Sequence, residues 1–281
     1  MSFLDEYKRQ PKLFVDIPSS GTFYDHTVFE DSQFVQIPIY AMTAADDIMA
    51  KTPDALFSGK AVASVLESCV PLLKDPWQLI KTDLEYLLTA IRIASTGSKT
   101  DMKATCNVCN TENAVEIDLQ NVLAHYDNFN PAASFKFKDL TINLRPITFK
   151  QLSDLGIELY QKQRTLFQLQ AADMDQDEKN KQAAAVANDV LTLTTRALTK
   201  YIISISKDDK AETDSNIISN FIEENDSEIS KMFTTEITKF ITLASYPELK
   251  IQCAGEINDE RCTNTYSVEY NSDFSSFFVR N

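Results

Sequence analysis

Between residues 56 and 70 the apolar side chains recur at helical spacing. Leu56, Val62, Val65, Leu66, Cys69 and Val70 follow the rhythm of one helix face. The pattern predicts a helix over about Pro53 to Val70, ended by Pro71, with Gly59 inside it at a cost of about 1 kcal/mol relative to alanine. A second stripe of Leu84, Leu87, Leu88, Ile91 and Ala94 predicts a helix from about Thr82 to Ser95, stopped by Gly97. Thr82-Asp83-Leu84-Glu85 has the form of a capping box, so Thr82 is the expected N-cap. Phe34 to Tyr40 reads as a strand, with Pro38 marking an edge. The 33 residues before it read as an irregular, extended N-terminal arm, with a turn bracketed by Pro18 and Gly21. Asp101–Thr105 and Asn113–Leu119 read as two short strands around a Cys-bearing turn. Phe135–Lys138 and Thr141–Leu144 read as a hairpin. A long helical region is predicted from about Thr148 to Ser206, interrupted near Asp173–Asp177. A charged loop follows over Ser204–Asp214, then helices over about Asn216–Glu223 and Ser227–Ala244. A second Cys-bearing β segment runs from Leu249 to Tyr270. The fold class is therefore α+β.

The order of these elements repeats. Ile37–Thr43 aligns with Ile142–Thr148 at a spacing of 105 positions. Thr82–Thr89 aligns with Thr235–Thr242 at 153, which makes Thr235 a second expected N-cap. Cys109 and Cys262 also lie 153 apart, as do Val115-Glu116-Ile117 and Val268-Glu269-Tyr270. The chain is thus expected to be an internally duplicated module of short strands, a helix pair or bundle and a Cys-bearing β-ribbon. The arm occupies 1–33, the first copy 34–130 and the second copy 131–281, enlarged by the helical stretch 161–214. Such a duplicated module suits a structural or binding part.

Composition narrows the function. In 281 residues, Asp+Glu is 41 against Lys+Arg 27, a formal net charge of −14. A chain this acidic repels a phosphate backbone, which argues against nucleic acid and anionic membrane surfaces as partners. Gly is only 5, a poor fit to Gly-rich phosphate cradles. No stretch approaches the ~18 apolar residues of a membrane span, and the N-terminus lacks an apolar core of signal-peptide length. The expectation is a protein made in a reducing cytosol, where cysteines serve as thiols or metal ligands.

Cys106 and Cys109 have the spacing of a zinc knuckle, and zinc takes four tetrahedral ligands. Cys253 and Cys262 have eight residues between them, at the equivalent place in the second copy. If the copies face each other, the four thiolates close one structural site. Two alternatives stay open: Cys106 and Cys109 with His125 and one distant Cys, or four free thiols of a vestigial ribbon. A redox Cys-x-x-Cys would open a helix, whereas strands flank this one. Cys69, on an apolar stripe, reads as core.

There are two histidines, His26 and His125, and no His-Glu-x-x-His, Gly-x-Ser-x-Gly or phosphate loop. Nothing in the sequence supports an enzyme or a small-molecule substrate. Asp46-Asp47 reads as a helix start, where acidic groups suit the dipole. Asp173, Asp175 and Asp177 lack the Gly and terminal Glu of a calcium loop. Phe274, Phe277 and Phe278 read as core or as a docking patch.

Ile17-Pro18-Ser19-Ser20-Gly21-Thr22-Phe23-Tyr24, Pro38 through Asp47, Thr52 through Ala61, Asp75-Pro76-Trp77 and Leu84 through Gly97, followed by Cys106-x-x-Cys109, together resemble the baseplate hub and hub-assembly proteins of T4-type contractile-tailed bacteriophages. The resemblance covers about residues 17–119; the remainder is reached through the internal repeat, and the second Cys pair departs from the family spacing. It implies a non-enzymatic virion protein of the baseplate hub, assembled in the host cytoplasm and bound to other tail proteins. An assembly chaperone for the hub or the tape-measure protein, absent from the mature virion, is the alternative. A zinc-ribbon nucleic-acid binder is a more remote one.

Overall fold

The computed structural model describes residues 3, 8–30, 34–52, 55, 57–171, 174–225, 227–257, 260–268 and 270. The chain divides into two compact units. One is Met1–Pro76, Thr82–Phe129 and Ser245–Asn281; the other is Trp77–Lys81 and Asn130–Ala244. Helices and small antiparallel sheets make both, so the fold is α+β, as the patterning predicts.

In the first unit, β1 (Pro11–Val15) pairs with β2 (Ile37–Tyr40), Val15 opposite Ile37 and Leu13 opposite Ile39. The opening stretch thus holds a strand where the sequence reads as irregular. It is five residues long and starts on a proline, too short for its alternation to stand out. Ser20 (φ 48) and Gly21 (φ 78) turn the chain between the two strands in left-handed backbone. A Cβ on Gly21 would fall 2.2 Å from the Phe34 ring, so both conformation and space require glycine.

α1 (Ala44–Ala50) begins at a reciprocal cap. The Asp46 amide donates to Thr43 Oγ1 at 3.2 Å, and the Thr43 amide donates to Asp46 Oδ2 at 2.7 Å. This is the helix start that Asp46-Asp47 signals. α2 (Lys60–Cys69) buries Val62, Val65, Leu66 and Cys69 as predicted, but starts later than the spacing indicates. Gly59 is its N-cap at φ 74, so glycine serves that start and is not a defect inside the helix. Pro53, Asp54 and Leu56 lie outside the described residues.

α3 (Lys81–Thr96) buries Leu84, Leu87, Leu88 and Ile91. Its beginning differs from expectation. Thr82 is already inside the helix, fully buried, and its hydroxyl has no hydrogen-bond partner among the described residues. Asp83 reaches back to the Ser19 amide at 3.1 Å, to the Ser19 hydroxyl and to the Tyr24 hydroxyl at 2.6 Å. Glu85 accepts from Tyr126 at 2.7 Å. Tyr126 has claimed the Glu85 carboxylate that a capping box would use, and the Thr82 hydroxyl caps no amide among the described residues. α4 (Leu119–Asp127) replaces what reads as a strand end. Asp118 caps it through the Gln120 amide, and Leu119, Val122 and Tyr126 are buried.

In the second unit, β5 (Ala133–Phe137) and β6 (Leu140–Leu144) form the predicted hairpin. β7 (Ile202–Lys207) and β8 (Lys210–Glu212) extend it into a sheet of order β5-β6-β7-β8. The sequence puts these residues in a helix end and a loop; the β-branched run Ile202-Ile203 and Ile205 instead suits a strand, and its partner β6 lies far away in sequence. α5 (Phe149–Ala171) starts at a second reciprocal cap, Thr148 with Gln151 (2.9 and 3.2 Å), 105 positions after the first. Trp77 stacks on Phe149 with ring centroids 4.7 Å apart. α6 (Gln176–Thr199) starts at Asp175, whose carboxylate caps the Asp177 amide. α7 (Ser215–Glu224) and α8 (Ser227–Leu243) follow. Thr235 is mid-α8, its hydroxyl donating to the Lys231 carbonyl, and is not an N-cap.

The half-buried positions of α5 include Leu152, Leu155, Leu159, Lys162, Leu166 and Leu169, a series alternately three and four apart, and those of α6 include Ala183, Val186, Val190, Leu193 and Ala197. This is the heptad seam of a coiled coil. Lys162, the one charge in the α5 series, pairs with Asp189 of α6 at 2.5 Å.

Candidate metal centre

Two ribbons carry the cysteines, both in the first unit. In one, β3 (Lys99–Thr105) pairs with β4 (Glu112–Asp118), closing on the rung Thr105 opposite Glu112. In the other, β9 (Leu249–Gln252) pairs with β12 (Thr265–Val268), closing on Gln252 opposite Thr265. Each rung is followed at once by a cysteine, Cys106 or Cys253. The Cys106 amide donates to the Thr111 carbonyl at 2.9 Å, and the Cys253 amide donates to the Asn264 carbonyl at 2.9 Å.

The two turns then differ. The first is tight, with the Asn110 amide donating to the Cys106 carbonyl at 2.9 Å and Asn110 at φ 57. The second carries a small hairpin, β10 (Glu256–Ile257) with β11 (Glu260–Arg261), between Cys253 and Cys262. That hairpin is why eight residues stand where the first pair has two.

All four sulfur atoms lie within 4.8 Å of one another. Cys106, Cys253 and Cys262 are buried, and Cys109 is partly so. Cys109 Sγ and Cys253 Sγ are 3.3 Å apart. A tetrahedral ion with ~2.3 Å bonds to sulfur needs its four ligands roughly 3.8 Å from each other, so the cluster has the right size to hold one metal ion. Soft thiolates suit zinc or iron rather than magnesium or calcium.

Amide donors surround the sulfurs. Cys106 Sγ accepts from the Val108 amide (3.5 Å) and from Asn264 Nδ2 (3.3 Å). Cys253 Sγ accepts from the Gly255 amide (3.3 Å) and from Asn113 Nδ2 (3.6 Å). The Asn264 amide, helped by backbone amides of the turn, lowers the Cys106 thiol to about 6. The Thr111 hydroxyl and amide lower that of Cys109. At Cys262 the Asn264 backbone amide also favours the thiolate, but burial and the neighbouring thiols outweigh it and push the group up to about 11. Tyr266 joins the ribbons, donating to the Ala104 carbonyl at 3.0 Å and accepting from Asn113 at 3.0 Å. Gly255 makes the approach possible: a Cβ there would lie 2.2 Å from Thr111 Oγ1 and 3.0 Å from Cys109 Sγ.

The structure thus brings together the four cysteines singled out by the sequence. His125, the alternative ligand, faces the rings of Tyr126 and Tyr246. Cys69 is buried on α2, with its thiol pushed up to about 12 by burial and then by Asp46. Phe274, Phe277 and Phe278 lie outside the described residues. Asn113, Asn264, Thr111 and Gly255 were not legible as site residues. The one signal was Thr111 and Asn264 each standing two places after the second cysteine of a pair.

The family model for the T4 bacteriophage base plate protein matches residues 35–279, a span that includes both ribbons and all four cysteines. The chain belongs to that family. Membership indicates the virion tail as its location and other tail proteins as its partners. Among curated proteins no match is found, and among solved structures none is found either. Among the described residues no helix is long and apolar enough to cross a membrane.

Proposed function

We propose that this baseplate protein is a non-enzymatic structural component of the hub of a contractile tail, assembled in the host cytoplasm and acting through protein–protein interfaces. The observation that carries the reading is the α5–α6 pair. Phe167 is 73% exposed and Tyr160 50% exposed. They stand one heptad apart on α5, so they share a face outside the seam. Helices of 23 and 24 residues are about 35 Å long each. Exposed aromatic side chains along such an element are the composition of a contact surface.

Zinc is the proposed occupant of the four-cysteine site, in a structural role, because four thiolates leave no position for water or substrate. Internal duplication is part of the same proposal. It is supported by the two reciprocal caps 105 positions apart and by two ribbons that each present a cysteine directly after the closing rung.

Quantitative mass spectrometry of purified virions, wild type and Phe167→Glu, tests the reading. A fixed copy number in wild-type particles, reduced in the variant, is the expected result. Absence from wild-type particles, with defective tails when the gene is deleted, would replace it with the assembly-chaperone alternative.

A further inference from the structure

The first cysteine of each pair receives one donor from its own turn and one from the opposite ribbon. Asn264, beyond β11 on the second ribbon, crosses to Cys106; Asn113, on β4 of the first, crosses to Cys253. Both amides are held in the orientation this requires. Asn113 Oδ1 accepts the Ala254 amide at 2.8 Å, which turns its NH2 group toward Cys253, Tyr266 and the Thr111 carbonyl. Asn264 Nδ2 spends its other hydrogen on Asn107 Oδ1 at 2.9 Å.

A divalent ion with four thiolates carries a net charge of −2, in a chain already at −14. Donors aimed at sulfur offset that charge and fix the ligand geometry, as the outer partners of metal ligands do generally. We infer that Asn113 and Asn264 are positioning residues of the metal centre: a reciprocal pair of side-chain clasps, each anchored in one ribbon and bonded to a ligand sulfur of the other. The inference rests on the metal reading above. The structural consequence is that metal and clasps hold the same seam, so losing either loosens the other.

The experiment uses the full chain, stripped of metal and titrated with Zn2+ against a competing chelator, then loaded with Co2+ for absorption spectroscopy. Asn264→Asp is the deciding variant, being near-isosteric and only half-buried; Asn113→Asp is the buried counterpart. Each should weaken Zn2+ binding about 10- to 100-fold. In the Co2+ form the sulfur-to-metal charge-transfer bands should move to longer wavelength, because a sulfur that loses an N–H donor holds its electrons less tightly. A purely structural role for Asn264 would not move those bands once the metal is bound. If wild type takes up both ions and Asn264→Asp matches it in affinity and band position, the clasp is wrong and the metal reading stands. If wild type takes up neither ion, both are wrong.

Discussion

Asp83 and Ser19, 64 positions apart, are joined twice: the Ser19 amide donates to Oδ1 at 3.1 Å and the Ser19 hydroxyl donates to Oδ2. With the Tyr24 hydroxyl as a third donor, the carboxylate pins the turn between β1 and β2 to the first turn of α3. Burial nevertheless raises Asp83 from 3.8 to about 6, against the pull of those donors. The folded state therefore holds this proton more tightly than the unfolded state between about pH 4 and 6. This group's contribution makes the fold more stable as pH falls through that window, by on the order of 3 kcal/mol in full. Asp83→Asn should abolish the trend, whereas Asp83→Ala should cost about 3 kcal/mol by stranding buried donors. Denaturation midpoints from pH 7 to pH 4 check this. Equal pH slopes in wild type and Asp83→Asn would contradict it.

Helix starts give a second test. Thr43→Ala and Thr148→Ala each remove a cap oxygen and should destabilise by about 1 kcal/mol. Thr82→Val removes a buried hydroxyl without a hydrogen-bond partner and should stabilise by about 1 kcal/mol. Thr235→Ala, mid-helix and exposed, should change little. Urea titration of the four variants resolves the pattern, and a loss at Thr82 comparable to that at Thr43 would overturn it.

Gly255→Ala places a methyl group where Thr111 and Cys109 already stand. The ribbons must separate, at a cost of about 1–3 kcal/mol, and metal uptake should weaken with them. A variant as stable and as metal-competent as wild type would show that the ribbons do not approach this closely.

The metal itself is tested by elemental analysis of protein purified without chelator. About one zinc per chain is expected, lost in Cys106→Ser, with binding free energy counting towards folding. On chelation, hydrogen exchange should rise first at the ribbon ends near Met102 and Ile251 and stay slow in α3 around Leu87. Protein free of zinc as purified, or a Cys106→Ser variant that keeps it, rejects the site.

The elements whose signals are local were legible. Leu84, Leu87, Leu88 and Ile91 announced α3, and the Phe135–Leu144 alternation announced the hairpin. The approach of the two cysteine pairs was foreshadowed by their equivalent places in a repeated order. What failed was decided by partners remote in sequence. Thr82 has the composition of a cap, but Asp83 and Glu85 were drawn off to Ser19, Tyr24 and Tyr126. β7 became a strand because β6, some 60 positions earlier, offered it a ladder. The amides of Asn113 and Asn264 were invisible for the same reason, since each reaches a sulfur on the other ribbon.

The β10–β11 hairpin hangs between two cysteines, rooted at both ends in the site itself. Lengthening a loop from two to eight residues costs only about 1 kcal/mol in closure entropy, and the graft forms its own short ladder. What the architecture conserves is the rung before each pair, not the count of residues within it. Any sequence that leaves and returns at the same two points would serve. A search that demands a fixed interval between cysteines therefore passes over half of this site, while one that follows the strand ladder finds both halves.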